Sequence, residues 1–190
     1  MLTAALSAAI LATHPPVVVP PDGGAVVPVP FHPVRKLLPA AATEGGVTVY
    51  EFEVRPESAA APPHVHSRED EYFYVLEGEA TLLNGEETIV APAGTLAALT
   101  RGHQHAFWNA GDALLRMLVI VSGDNAFEPF FDALVDEIAR TEPGDGQAFG
   151  ALVDRVAADH GIEMRPEALP DEALVYYAPP EAKDKEPERR

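Results

Sequence analysis

His64-Val65-His66-Ser67-Arg68-Glu69-Asp70-Glu71, followed at a distance by Gly78, is the stretch on which the reading of this 190-residue chain turns. In extended backbone, residues i and i+2 point to the same face. His64 and His66 can therefore offer two imidazoles to one metal ion, and Glu71 can return a carboxylate from the next strand. Imidazole together with carboxylate suits Zn, Fe, Mn, Ni, Co or Cu, with geometry deciding among them. A second histidine group follows Gly94, in Thr100-Arg101-Gly102-His103-Gln104-His105-Ala106-Phe107-Trp108-Asn109. The chain has seven His and no Cys, which excludes disulfides, thiolate metal sites and a cysteine nucleophile together. Any metal must be held by His and carboxylate.

Outward from this stretch the chain reads as short strands broken by turns. Val47–Val54 alternates and is rich in β-branched and aromatic residues, as a strand requires. Tyr72–Leu76, Ala80–Leu83, Thr88–Ala91, Thr95–Leu99, His105–Trp108 and Leu114–Val121 continue the series. Glu77-Gly78 and Pro92-Ala93-Gly94 mark turns, and Asn84-Gly85 signals a hairpin because both residues tolerate positive φ. Strands at this spacing predict a mainly β domain, a sandwich or barrel closed on itself. After Gly123 the period changes. Phe127, Phe130, Phe131, Leu134, Val135 and Ile138 share one helical face, with Asp124 or Asn125 as the cap and Pro129 confined to the first turn. A second helix is predicted over Gln147–His160, ended by Gly161.

The flanks carry less. Residues 13–33 are dense in Pro, Val and Gly, which forbids a helix and permits only extended or edge-strand backbone. Leu2–Ala12 is apolar but shorter than the roughly 20 residues a membrane span needs. It resembles the apolar core of a secretion signal yet lacks the basic residues that precede one, since the first Lys or Arg is Arg35. The expected organisation is an N-terminal extension (1–14), a β-barrel (15–123), a helical segment (124–178) and a disordered tail (179–190). A cytoplasmic location is expected, with export as the alternative if residues 1–12 act as a signal. Thirteen Lys+Arg against thirty Asp+Glu give a formal net charge of −17. That disfavours nucleic acid and anionic membrane surfaces as partners, because both need clustered cations.

The two histidine segments resemble the paired motifs of the cupin superfamily, G-x5-H-x-H-x3/4-E-x6-G and G-x5-P-x-G-x2-H-x3-N. His64, His66, Glu71 and Gly78 fit the first, with Ser58 where its leading Gly would stand. Gly94, Gly102, His105 and Asn109 fit the second, with Thr100 in place of the Pro. Both departures fall on turn residues and leave the ligand positions intact. The resemblance implies a single cupin domain, a jelly-roll-like β-barrel with C-terminal α-helices, that binds one divalent transition metal per chain through His64, His66, Glu71 and His105. Phe127-Glu128-Pro129-Phe130-Phe131 and His160-Gly161-Ile162-Glu163 also resemble small bacterial cupins related to quercetin dioxygenases. This second likeness implies a dioxygenase that cleaves an enolisable, flavonol-like aromatic with O₂, Glu71 acting as the base. The alternatives are a metal-dependent isomerase, decarboxylase or lyase on a small polar acid or sugar, and a noncatalytic ligand-binding or sensory cupin. A homodimer is expected, as is common among cupins.

Around the ligands, Tyr72, Tyr74, Phe107 and Met117 are candidates to line a substrate pocket, and His103 is a candidate for its rim. For the aromatics the competing role is core packing. Glu69 and Asp70 read as solvated neighbours of Glu71. His14, His32 and His160 fall outside the motifs and read as solvated.

Overall fold

The computed structural model describes residues 14–124 and 127–177. Residues 1–13 of the expected extension, Asn125 of the helix cap and the tail from 179 lie outside the described residues.

Among the described residues, eleven strands form two antiparallel sheets. The first holds β1 (Ala25–Val27), β2 (Val34–Leu38), β3 (Thr48–Val54), β10 (Leu115–Gly123), β5 (Glu69–Glu77) and β8 (Leu96–Leu99), in that spatial order. The second holds β11 (Ile162–Met164), β4 (Ser58–His66), β9 (His105–Asn109), β6 (Glu79–Asn84) and β7 (Glu87–Pro92). The fold is mainly β, with helices following the barrel. Along β10 the residues Leu115, Met117, Val119 and Val121 are buried and those between are half-buried, the period of two expected of a strand with one face on a core. The inner faces of both sheets supply that core, with Tyr50, Phe52, Phe73, Leu82 and Phe107 among its largest members.

Chain reversals follow local chemistry. Gly78, at φ +73°, carries the chain from β5 to β6 and hence from one sheet to the other. It sits where a Cβ would run into the carbonyl oxygen of Leu114, so only glycine fits. The predicted hairpin after β6 is present but centred one residue later than its signal: Asn84 still pairs with Glu87, and Gly85-Glu86 make the turn with Gly85 at φ +66°.

β4 was legible from sequence only at its histidine end. Pro62 and Pro63 interrupt it, and proline cannot donate to a ladder. The pairing with β9 accordingly slips between Ala59 and Ala61 and again between Ala61 and His64, a bulge that lets an interior strand tolerate two prolines.

Helix α1 (Phe127–Thr141) lays Phe127, Phe130, Phe131 and Leu134 against the barrel. The Phe127 and Phe131 rings lie 5.6 and 5.4 Å from that of Tyr50. Helix α2 (Gly146–Asp159) is capped by Asp145, whose side chain accepts a 2.8 Å hydrogen bond from Ala148 N. Gly161 at φ +78° ends it, and the chain then returns as β11 alongside β4, with Ile162 opposite His66 and Met164 opposite His64. This short strand has no sequence signal of its own. Helix α3 (Leu174–Tyr177) completes the described chain, and the Tyr177 hydroxyl lies 2.8 Å from Ala61 O and 2.9 Å from Phe107 O. Ala61 and Phe107 are register partners, so this tyrosine donates into the ladder where the prolines loosen it.

Candidate metal centre and cavity

Three strands deliver the ligand candidates. β4 brings His64 and His66 to the interior, β9 sets His105 opposite His64 in register, and β5 faces them from the other sheet with Glu71. All four are buried, and one potential ligand atom from each lies within 4.8 Å of the others. The imidazole centroids are 4.4 to 5.5 Å apart.

Each imidazole is oriented from behind through Nδ1. His64 donates to Pro62 O at 2.7 Å, His105 to His103 O at 3.1 Å, and His66 to the Glu69 carboxylate at 3.4 Å. Such partners fix the tautomer and leave Nε2 for a metal. His66 Nε2 is buried without a hydrogen-bond partner, and a buried polar atom in that state is costly unless something else engages it. His105 Nε2 and His66 Nε2 stand 2.9 and 3.5 Å from Glu71 Oε2, separations that a shared proton or a shared ion can bridge. The donor set and the orphaned nitrogen fit a divalent transition metal bound by three imidazoles and one carboxylate.

The electrostatics agree with ligation. Burial alone would raise the Glu71 carboxyl, but the facing His66, His105 and His64 pull it down to about 2, so it is a carboxylate at neutral pH. Burial, with repulsion from His105 and His66, holds His64 near 3 and therefore neutral. Burial also opposes charge on His66, yet Glu71 and Glu69 together raise its pKa above the ordinary value. Glu69 is therefore no solvated neighbour. Its side chain is fully buried behind His66, because the strand's period of two turns Glu69 and Glu71 inward and only Asp70 outward. Asp70 is held by Arg101 through two side-chain contacts of 2.9 and 3.1 Å and a bond from the Arg101 amide.

His64, His66 and Glu71 border a cavity of about 710 Å³ that reaches the helices, and His105 stands just outside its lining. Its walls include Phe52, Phe73 and Phe107 from the sheets, Phe127, Phe130 and Phe131 from α1, Phe149 and Val153 from α2, and Tyr176 and Tyr177 from α3. No Lys or Arg is among the described lining residues; Glu71 and Asp154 are the carboxylates. Of the pocket candidates, Phe107 lines this space. Tyr72 and Tyr74 lie on the opposite face of β5, with Tyr74 39% exposed. His103 is in an exposed loop and reaches the site only through its backbone carbonyl. Met117 is fully buried in the core but does not border the cavity. The inward aromatics of β5 and β3, Phe73 and Phe52, take the places that Tyr72 and Tyr74 do not.

His32 also differs from its expected solvated role. It is only 7% exposed and lines the cavity, and burial lowers its pKa to about 4 against a modest opposing bond to Pro33 O. His14 and His160, by contrast, are partly exposed.

No helix among the described residues is long and apolar enough to cross a membrane. No curated protein matches the chain significantly. Among solved structures, it is similar to a sugar phosphate isomerase of the cupin superfamily from Silicibacter pomeroyi, at 21% identity and TM-score 0.48 over 56% of this chain and 75% of that one. The polyketide cyclase RemF from Streptomyces resistomycificus matches at 27% identity and TM-score 0.47 over 57% and 84%. The plu4264 protein from Photorhabdus luminescens matches at 17% identity and TM-score 0.45 over 70% and 90%. The family model described as Cupin domain matches residues 50–121, the span that contains all three ligand histidines and Glu71. Over residues 50–121 the chain is thus similar to the cupin domain family.

Proposed function

We propose that the protein is a metal-dependent dioxygenase acting on a planar, enolisable aromatic of the flavonol type. The observation that carries this reading is the cavity: about 710 Å³, lined among the described residues by eight phenylalanines and two tyrosines, and bordered by three of the four ligand candidates, His64, His66 and Glu71. Apolar walls with a few convergent polar groups suit a planar apolar ligand. An isomerase or decarboxylase for a small polar acid or sugar would need cationic or multiple hydrogen-bonding groups in the wall, and the described lining holds no Lys or Arg.

The residues divide the work simply. His64, His66 and His105, together with Glu71, would hold the metal, each imidazole locked by its Nδ1 partner. A bound divalent ion supplies Lewis acidity to an enol or phenol oxygen and a meeting point for substrate and O₂. Glu71, ionised and beside His105 and His66, is placed to accept the proton that the enol hydroxyl gives up. The aromatic walls stack the ring system, fix its face and keep bulk water away from the deprotonated substrate. This site would work with one small-molecule substrate and O₂ and requires no macromolecular partner.

The test is oxygen uptake by protein loaded in turn with Fe, Mn, Ni, Co, Cu and Zn, with quercetin as substrate. Consumption of O₂ with at least one redox-active metal, abolished by His105→Ala, supports the reading. Tight quercetin binding with no O₂ consumption in any metal form would replace it with a ligand-binding role.

A further inference from the structure

Among the polar side chains that line the cavity away from the metal candidates, His32 is one that neither the metal centre nor the packing of the barrel requires. His32 is buried between Phe31, Phe52 and Phe107, with ring centroids at 4.9, 5.0 and 6.4 Å. Its only hydrogen bond among the described residues runs from Nδ1 to Pro33 O at 3.4 Å, a long bond by ordinary standards. That carbonyl already accepts a 3.0 Å bond from Glu53 N, so it needs nothing from the imidazole. The imidazole thus carries a desolvation cost that its internal contacts recover only in part.

Its position is informative. The His32 ring packs at a tilt of 49° against Phe52, which pairs with Met117 of β10, whereas Glu71 pairs with Val121 of the same strand. Met117 and Val121 are four residues apart, and at about 3.3 Å per residue the two levels are separated by about 13 Å. A metal–oxygen bond of about 2 Å and a hydrogen bond of about 2.8 Å leave roughly 8 Å between two oxygens of one ligand. That span corresponds to an aromatic ligand of more than one ring, with a chelating oxygen at one end and a hydroxyl at the other. With Nδ1 donating to Pro33 O, Nε2 carries the lone pair and has no partner among the described residues. A neutral imidazole in that tautomer accepts one hydrogen bond, and the lowered pKa keeps it neutral at physiological pH.

We infer that His32 is a specificity-determining residue: its Nε2 accepts a hydrogen bond from a hydroxyl on the end of the aromatic ligand remote from the metal, so that the cavity selects hydroxylated over bare ring systems. This deepens the proposed function and rests on its assignment of the cavity as the substrate site.

The experiment compares matched ligands. Quercetin, hydroxylated on its outer rings, is set against 3-hydroxyflavone, which keeps the chelating oxygens alone; both are titrated into zinc-loaded protein. A second pair, 2-naphthol against naphthalene, is titrated into metal-free protein and involves no chelation. Wild type is expected to favour the more hydroxylated member of each pair by about tenfold, in line with one well-placed neutral hydrogen bond. His32→Phe removes the preference by weakening the hydroxylated member alone. His32→Gln, whose Oε1 can stand near the Nε2 position, restores most of it. Equal effects on both members of a pair, or none, overturn the inference. If neither flavonol binds but the naphthol preference follows His32, the flavonol reading falls and the role of His32 stands. If neither pair binds, both fall.

Discussion

Gly78 offers a sharp test of how the two sheets are joined, because a second glycine provides an internal control. Both Gly78 and Gly85 are in the left-handed region, at φ +73° and +66°. A Cβ at Gly85 would meet nothing within 4 Å, whereas at Gly78 it would strike the backbone oxygen of Leu114, immediately before the central strand β10. Gly85→Ala should therefore show only the conformational cost of a side chain at positive φ, about 1 kcal/mol. Gly78→Ala carries the same cost plus an overlap with a carbonyl that cannot rotate away, and overpacking of this kind adds about 1–3 kcal/mol. The expected destabilisation is about 2–4 kcal/mol. For a domain of this size that lowers Tm by roughly 5–15 °C, against about 2–4 °C for Gly85→Ala. Urea unfolding of both variants, with m compared to wild type, separates native-state strain from changes in the unfolded chain. Losses equal to within about 0.5 kcal/mol would refute the steric account of the crossing, since that is the limit to which such effects reproduce.

Three further expectations concern the site and its supports. His32 has its folded pKa near 4 against 6.5 ordinarily. The unfolded chain therefore binds more protons between these values, and the neutral imidazole's contribution is complete above pH 6.5 and lost as pH falls towards 4. It amounts to about 3 kcal/mol across that window, so stability measured from pH 7 to 4 should fall less steeply in His32→Phe; an unchanged slope would contradict the burial of a neutral ring. Glu69→Gln, which weakens the hold on His66 Nδ1 without opening a void, should cost roughly 10- to 100-fold in metal affinity by chelator competition, while far-UV circular dichroism stays unchanged. Asp145→Ala should destabilise the protein by about 1 kcal/mol through the lost bond to Ala148 N, with amide exchange rising in the first turn of α2.

The parts of the molecule legible in the sequence are those whose residues signal over short distances. Two histidines at i and i+2, a carboxylate five residues later and a third histidine framed by Gly102 and Asn109 announce a cluster that the structure assembles within 4.8 Å. The phenylalanine face announces α1, and the glycine after α2 fixes that helix to within a residue at each end. What escaped depends on pairing across the chain. β11 is three residues long and exists because β4 has a free edge. The Pro-rich segment permits extended backbone but does not say that His32 turns inward against Phe52. Glu69 is the instructive middle case: its acidic neighbours suggest solvent, yet the strand's alternation already placed it on the same face as Glu71.

The walls of the cavity come largely from outside the matched cupin span, since Phe31 and His32 precede it and the helices, β11 and α3 follow it. The four metal-ligand candidates, by contrast, all lie within that span. Much of the cavity wall and all four ligand candidates thus lie in different stretches of the chain, with Phe52, Phe73 and Phe107 the phenylalanines of the wall that fall inside the matched span. Grafting residues 127–177 and the strand-forming segment before β3 onto another barrel of this architecture should transfer selectivity while leaving the recipient's coordination intact. The same division lets point changes in the flanks explore new ligands without passing through variants that have lost the metal.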